Sequence, residues 1–204
     1  MMHLSGRVRK QTRPDRQEPF YSRKTMTAQR DATPGSAHDR ILDAAEDLIC
    51  TRGIAGFTLD AVAQAAGVSK GGLLYHFNSK DNLISGLQRR LAARMAASVQ
   101  EAEGRSEPIL QAFVRQLRQD YERGGQSFAA LLLVREQEKP CEELQTLMAC
   151  LSQRSSVDGD SRPTLLLLAA LGLVLSSLAR LPCPAPEHAS TLFDDLEAIA
   201  ARVN

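Results

Sequence analysis

The sequence predicts an all-α protein, with an N-terminal block of three short helices followed by a longer helical C-terminal domain. Three observations carry this. Apolar residues recur at helical spacing from residue 39 onward. Ala and Leu dominate the apolar set, and aromatics make up only 4% of the chain. No stretch alternates as a half-buried strand would. At 204 residues, 43% apolar and 24% charged, the chain is long enough to bury a sizeable core in one large domain or two small ones.

Residues 1–36 stand apart. They carry eight Lys or Arg against three acids and are broken by Pro14, Pro19, Pro34 and Gly35, with no apolar periodicity. The expectation is a disordered basic tail, with a DNA-reaching arm as the less favoured reading. The remaining 168 residues carry 17 basic against 21 acidic side chains. Bulk charge therefore gives no argument for nucleic-acid binding, which needs local placement of charge.

From Asp39 the pattern is helical. Ile41, Leu42, Ala45, Leu48 and Ile49 share one face, Ser36 and Asp39 fit a capping box, and Gly53 ends the helix. Thr58 caps a second helix, Leu59–Ala66, which Gly67 stops. Ser69 caps a third, Lys70–Phe77. Two short helices joined by Gly-Val-Ser form a helix-turn-helix. A fourth helix starts at Ser79 and runs toward Glu103. Further helices are expected at about 108–123, 127–138, 141–153, 163–181 and 187–203. The polar segment Ser155–Pro163 and the Pro182, Pro184, Pro186 cluster read as connections. The resulting division is a tail (1–36), a helix-turn-helix domain (37–83) and a helical domain (84–204).

Several function classes lack support. Cys50, Cys141, Cys150 and Cys183 show no CxxC or metal-like spacing, and Cys50 falls near the apolar face of the first helix as inert packing. His3, His38, His76 and His188 are scattered, so no metal is expected. No Walker loop, dinucleotide fingerprint or nucleophile elbow occurs, and the expectation is a non-enzyme without cofactor. The run from Thr164 to Leu175 is short for a membrane span and is followed by Ser176, Ser177 and Arg180. A reducing cytoplasm is the expected location.

The helix-turn-helix has a specific division of labour. Leu59, Val62, Ala63 and Ala66 pack the second helix inward, while Val68, Leu73 and Phe77 anchor the third. Ser69, Lys70, Gly71, Gly72, Tyr75 and His76 are left pointing outward. Two glycines weaken a helix by roughly 1 kcal/mol each relative to Ala. Their presence here fits close approach of backbone to a phosphate, with Lys70 as a rim cation and Tyr75 and His76 as hydrogen-bonding groups. The start of the next helix, near Ser79 and Lys80, offers N–H groups and a charge to a phosphate.

Residues 39–83 resemble the DNA-binding region of the TetR family. The first helix matches its I-L-x-A-A-x-x-L-I pattern from Ile41 to Ile49, Gly53 and Thr58 match its G-x-x-x-x-T element, and Gly67 through Leu83 match its G-V-S-K-G-x-L-x-x-H-F-x-S-K-x-x-L signature. Many members carry Tyr, contacting a phosphate, at the position of Leu74; here the Tyr is next door at Tyr75. The resemblance implies Thr58, Ser69, Lys70, Gly71, Tyr75, His76 and Lys80 as contacts to double-stranded operator DNA, with Lys80 on a phosphate. It also implies a homodimer through the last two helices, which the Leu-rich run suits. A small-molecule effector among the middle helices follows too, with Met95, Phe113, Leu117, Tyr121, Phe128, Leu132 and Met148 as wall residues. The expected function is a repressor released from a palindromic operator by its effector. A helical interaction module or activator that keeps the fold is the alternative.

Overall fold

The computed structural model describes residues 35–137, 139–154, 160–179, 181 and 184–202. The basic tail, apart from Gly35 and Ser36, and the Cys183 thiol lie outside them, as does the side chain of Cys150. Among the described residues the secondary structure is helical throughout, in one unit spanning 31–204.

The helices are α1 (Ala37–Arg52), α2 (Leu59–Ala65), α3 (Lys70–His76), α4 (Lys80–Gly104), α5 (Ile109–Glu122), α6 (Ala129–Leu132), α7 (Glu142–Arg154), α8 (Arg162–Leu178) and α9 (Pro186–Ala200). The starts of α1 to α4 are set by side-chain caps. Ser36 Oγ accepts from Asp39 N–H, Thr58 from Ala61, Ser69 from Gly72 and Ser79 from Asn82. Each satisfies an N–H that has no partner inside its helix. Gly53 and Gly67, at φ +70° and +65°, take the backbone out of α1 and α2 through conformations that disfavour a Cβ.

Ile41, Leu42, Ala45, Leu48 and Ile49 of α1, Val62 and Ala63 of α2, Leu73 and Phe77 around α3, and Leu83, Ile84 and Leu87 of α4 form one core. That core runs past residue 83 and is completed by Ala129, Ala130 and Leu133. At its centre Gly86 is required. A Cβ there would stand 2.6 Å from Phe77 Cε1 and 3.4 Å from Leu42 Cδ2. Farther along, Leu91, Met95 and Val99 of α4 and Phe113, Val114 and Leu117 of α5 are buried in the body. Helix α5 packs on α4, α8 and α9. Arg118 ties it to α9 by donating to Asp194, Glu197 and Ser190, and to Glu122 on α5 itself.

One expected element is corrected. The helix at 127–138 is broken into a 3₁₀ turn (Gln126–Phe128), the single turn of α6 and a second 3₁₀ turn (Val134–Glu136). Phe128, Leu133 and Glu136 close bonds to carbonyls three residues back, on Gly125, Ala130 and Leu133. Tertiary packing explains the break: the tight turns carry Phe128 into the body and insert Ala129, Ala130 and Leu133 into the α1–α4 core, and this outweighs a regular helix.

Candidate nucleic-acid interface

The outward face of α3 is built by what its inward face buries. Leu73 is fully buried and Phe77 nearly so, which fixes the rotation of this short helix on α1 and α2. Gly71 and Tyr75, two positions either side of Leu73, then point away from the core. Tyr75 is 86% exposed, and Ser69, Lys70, Gly71 and His76 are exposed, whereas Gly72 is half-buried. A Cβ on Gly71 would meet nothing, and one on Gly72 would crowd the Ser69 capping oxygen at 3.2 Å. Among the described residues no packing demands glycine at 71.

The polar members of the face are pre-arranged. Lys70 Nζ sits 2.9 Å from Asp60 Oδ1, linking the starts of α2 and α3. Tyr75 and His76 stack edge to face at 5.2 Å between ring centroids. His76 in turn faces His38 of α1 edge-on, and His38 lies against Phe77 at 4.8 Å. Burial holds the His38 imidazole below the ordinary histidine value, with Asp39 opposing and His76 reinforcing the shift. Ser69 and Thr58 spend their oxygens as caps, so their hydroxyl hydrogens are what remain for an outside acceptor. Lys80 lies over the Phe57 ring at 5.5 Å and reaches Glu136 Oε2 at 3.6 Å. Asp60 and Glu136, the acids that hold Lys70 and Lys80, escape a sequence reading because their partners are set by folding.

Residues 41–87 match the bacterial regulatory proteins of the tetR family. That segment is of the tetR-family type. Over 68 residues it is 37% identical to the HTH-type transcriptional repressor AcnR of Corynebacterium glutamicum, covering 33% of this chain and 36% of that protein. Over 69 residues it is 38% identical to the HTH-type transcriptional regulator AlkX of Mycobacterium tuberculosis, covering 34% and 33%. The chain thus spans about a third of the length of these curated relatives. The fold extends further. A TetR-family member from Streptomyces coelicolor superposes with a TM-score of 0.56 at 21% identity over 79% of this chain and 98% of that one. AibR, solved with isovaleryl coenzyme A and operator DNA, gives 0.56 at 19% over 83% and 100%.

In the helical body the seven expected effector-wall residues are dispersed. Met95, Phe113, Leu117 and Phe128 are core side chains, and Leu132, Tyr121 and Met148 are half-buried. Tyr121 packs on Phe193 at 5.4 Å. A polar cleft of about 500 Å³ lies elsewhere, between α1, α4, α5 and the turn after α5; none of the seven lines it. Glu46 is buried on its wall and paired with Arg94 at 3.1 Å. Burial raises the Glu46 carboxyl above its ordinary value, and Arg94 and Arg90 pull it back only in part. The Cys50 thiol is pushed up to about 11 by burial and by Asp47, Asp120 and Glu46. Among the described residues no group of His, Cys, Asp and Glu is arranged to hold a metal, and no helix is long and apolar enough to cross a membrane.

Proposed function

We propose that the chain is a transcriptional repressor that binds a palindromic operator as a homodimer and is released by a small molecule. The observation that carries it is the bare outward face of α3, where Gly71 leaves open space beside the almost fully exposed Tyr75. In this reading 37–83 is the DNA-reading unit and 84–204 the dimerising and sensing unit. Helix α3 enters the major groove. Tyr75 and His76 address base edges or phosphates, Lys70 and Lys80 take phosphates, and Thr58, Ser69, Gly71 and Gly72 lie along the approach.

Pairing of two copies is supported by the apolar stripe on α8 and α9. Leu165 and Leu168 are about three-fifths exposed, and Leu192 and Ile199 are also exposed. Leu165, Leu168 and Gly172 follow helical spacing on one face, and a Cβ on Gly172 would meet nothing. Such a stripe is costly in water and is covered when two copies form a four-helix bundle. The pair would carry its two α3 helices at a separation suited to successive major grooves, about 34–36 Å. An effector that prefers a different separation lowers operator affinity by shifting the population.

Footprinting on the DNA flanking the gene tests the reading. Protection of a near-palindrome is expected. Tyr75→Ala is expected to lower affinity by about 1–3 kcal/mol, and Lys80→Ala to reduce the salt dependence by about one counterion. A folded dimer that protects no sequence at low salt, and is unaffected by either substitution, supports the interaction-module alternative instead.

A further inference from the structure

We infer that the polar cleft between α1, α4 and α5 is a binding site for a small organic ammonium. Four carboxylates line it, Asp43, Glu46, Glu101 and Asp120, against the guanidiniums of Arg94 and Arg123. Three of these acids are already matched within the chain: Asp43 with Arg90, Glu46 with Arg94 at 3.1 Å and Glu101 with Arg105 at 3.5 Å. Asp120 differs. It is only 3% exposed, its Oδ1 accepts the Ser127 N–H at 3.2 Å, and its Oδ2 has no donor. Buried acceptors are nearly always paired, and Asp120, which lines the cleft, carries one that is shielded from water and has no donor.

The chemistry of the missing donor follows from the surroundings. A metal ion needs several hard oxygen ligands, and no such cluster exists among the described residues. An ammonium brings up to three N–H donors with the opposite charge, which suits a lone carboxylate oxygen. Gln116 on the same wall and Ser98 opposite offer neutral hydrogen bonds to the rest of the molecule. A volume of about 500 Å³ admits more than the head group alone. Because α1 belongs to the helix-turn-helix core while α4 and α5 reach into the body, a ligand here would touch both. An effector role for it rests on the operator reading above; the binding site itself does not.

Calorimetry and thermal melts on the full chain without DNA test the site. The probes are n-butylammonium, 1,4-diaminobutane and 4-aminobutanoate, with 1,4-butanediol and butanoate as controls of equal chain length at matched ionic strength. Saturable binding and a raised Tm are expected for at least one ammonium probe and for neither control. Asp120→Asn, which keeps the shape and the Ser127 contact, is expected to weaken that binding at least tenfold. Ser98→Leu, which narrows the cleft and leaves Asp120 intact, is expected to weaken it as well, so the result does not hang on one variant folding. The inference is overturned if no ammonium probe binds, if the controls bind equally, or if both folded variants bind like the parent. Since no DNA is present, loss of this site and loss of the operator reading are seen separately.

Discussion

Phe77 and Gly86 interlock: the ring that closes the helix-turn-helix occupies the space where a side chain on α4 would begin, with Cε1 2.6 Å from an ideal Cβ at residue 86. Leu42 of α1 closes the same space at 3.4 Å. The pair seats the helix-turn-helix on the long helix, so the direction in which α3 faces depends on it. Gly86→Ala is expected to destabilise the fold by about 1–3 kcal/mol through overpacking. Gly104→Ala, where a Cβ would meet nothing, is the control expected to be neutral or slightly stabilising. Urea denaturation of the two variants checks this, and equal midpoints would remove the interlock.

Lys80 divides its charge between two claims. In the structure it faces Glu136, 3.6 Å away, and both side chains are about two-fifths exposed. Such a pair is worth at most about 1 kcal/mol. Removing it by Glu136→Gln is expected to raise DNA affinity by a few-fold at low salt, an effect absent when Lys80 is already Ala. Fluorescence anisotropy on the double-mutant cycle reads this. An equal gain in both backgrounds would show that Glu136 acts by general repulsion alone.

Glu46 gives a pH signature of unusual sign. Its folded value is raised, chiefly by burial, so the folded chain holds this proton more tightly than the unfolded one. The contribution of Glu46 to stability therefore declines as pH rises from the unfolded value of 4.5 through the folded one, and is level above that. The stability of the parent minus that of Glu46→Gln, followed by urea denaturation from acid to neutral pH, is expected to slope downward across this window. An upward slope would mean that Arg94 and Arg90 outweigh burial.

Cys50 and Cys141 are expected to be poor nucleophiles. Cys50 is pushed up to about 11, and burial raises Cys141 as well. Reactivity follows the thiolate, so native alkylation by iodoacetamide at pH 7.5 should be far slower at both positions than for a small free thiol. Peptide mass spectrometry locates the label. Rapid labelling of Cys50 in the native chain would overturn the burial argument.

Leu165 and Leu168 are expected to act through a second copy. Leu165→Glu with Leu168→Glu should shift the chain to a monomer in sedimentation equilibrium while leaving helical content intact, because both side chains are largely exposed within one copy. Unchanged mass would remove the proposed pairing surface.

The caps show how much was legible. Ser36, Thr58, Ser69 and Ser79 each precede a helical pattern, and each accepts the N–H that a local rule assigns to it. Leu73 and Phe77 were identifiable as inward because period alone separates them from Tyr75 and His76. The same rule failed at 127–138, where Phe128, Leu131 and Leu132 read as one helix. The break there is imposed by the space that Ala129, Ala130 and Leu133 fill in another element's core. Phe113 and Leu117, expected on an effector wall, are buried core side chains, and Glu46, Arg94 and Asp120 line a separate polar cleft that only folding brings together.

By itself the sequence determined what depends on near neighbours along the chain: the order and phase of the helices, their caps, and which side of α3 is bare. Those follow from hydrogen bonds and side-chain directions spanning three or four residues. Only the tertiary structure decided that Phe77 needs Gly86, that Glu136 holds Lys80, and that the Asp120 carboxylate is shut into a cleft beside Glu46. These groups lie beyond the reach of one helical turn, Phe77 and Gly86 on successive helices and the other pairs farther apart in sequence, and burial, the term that gives them their energies, exists only once the helices have packed.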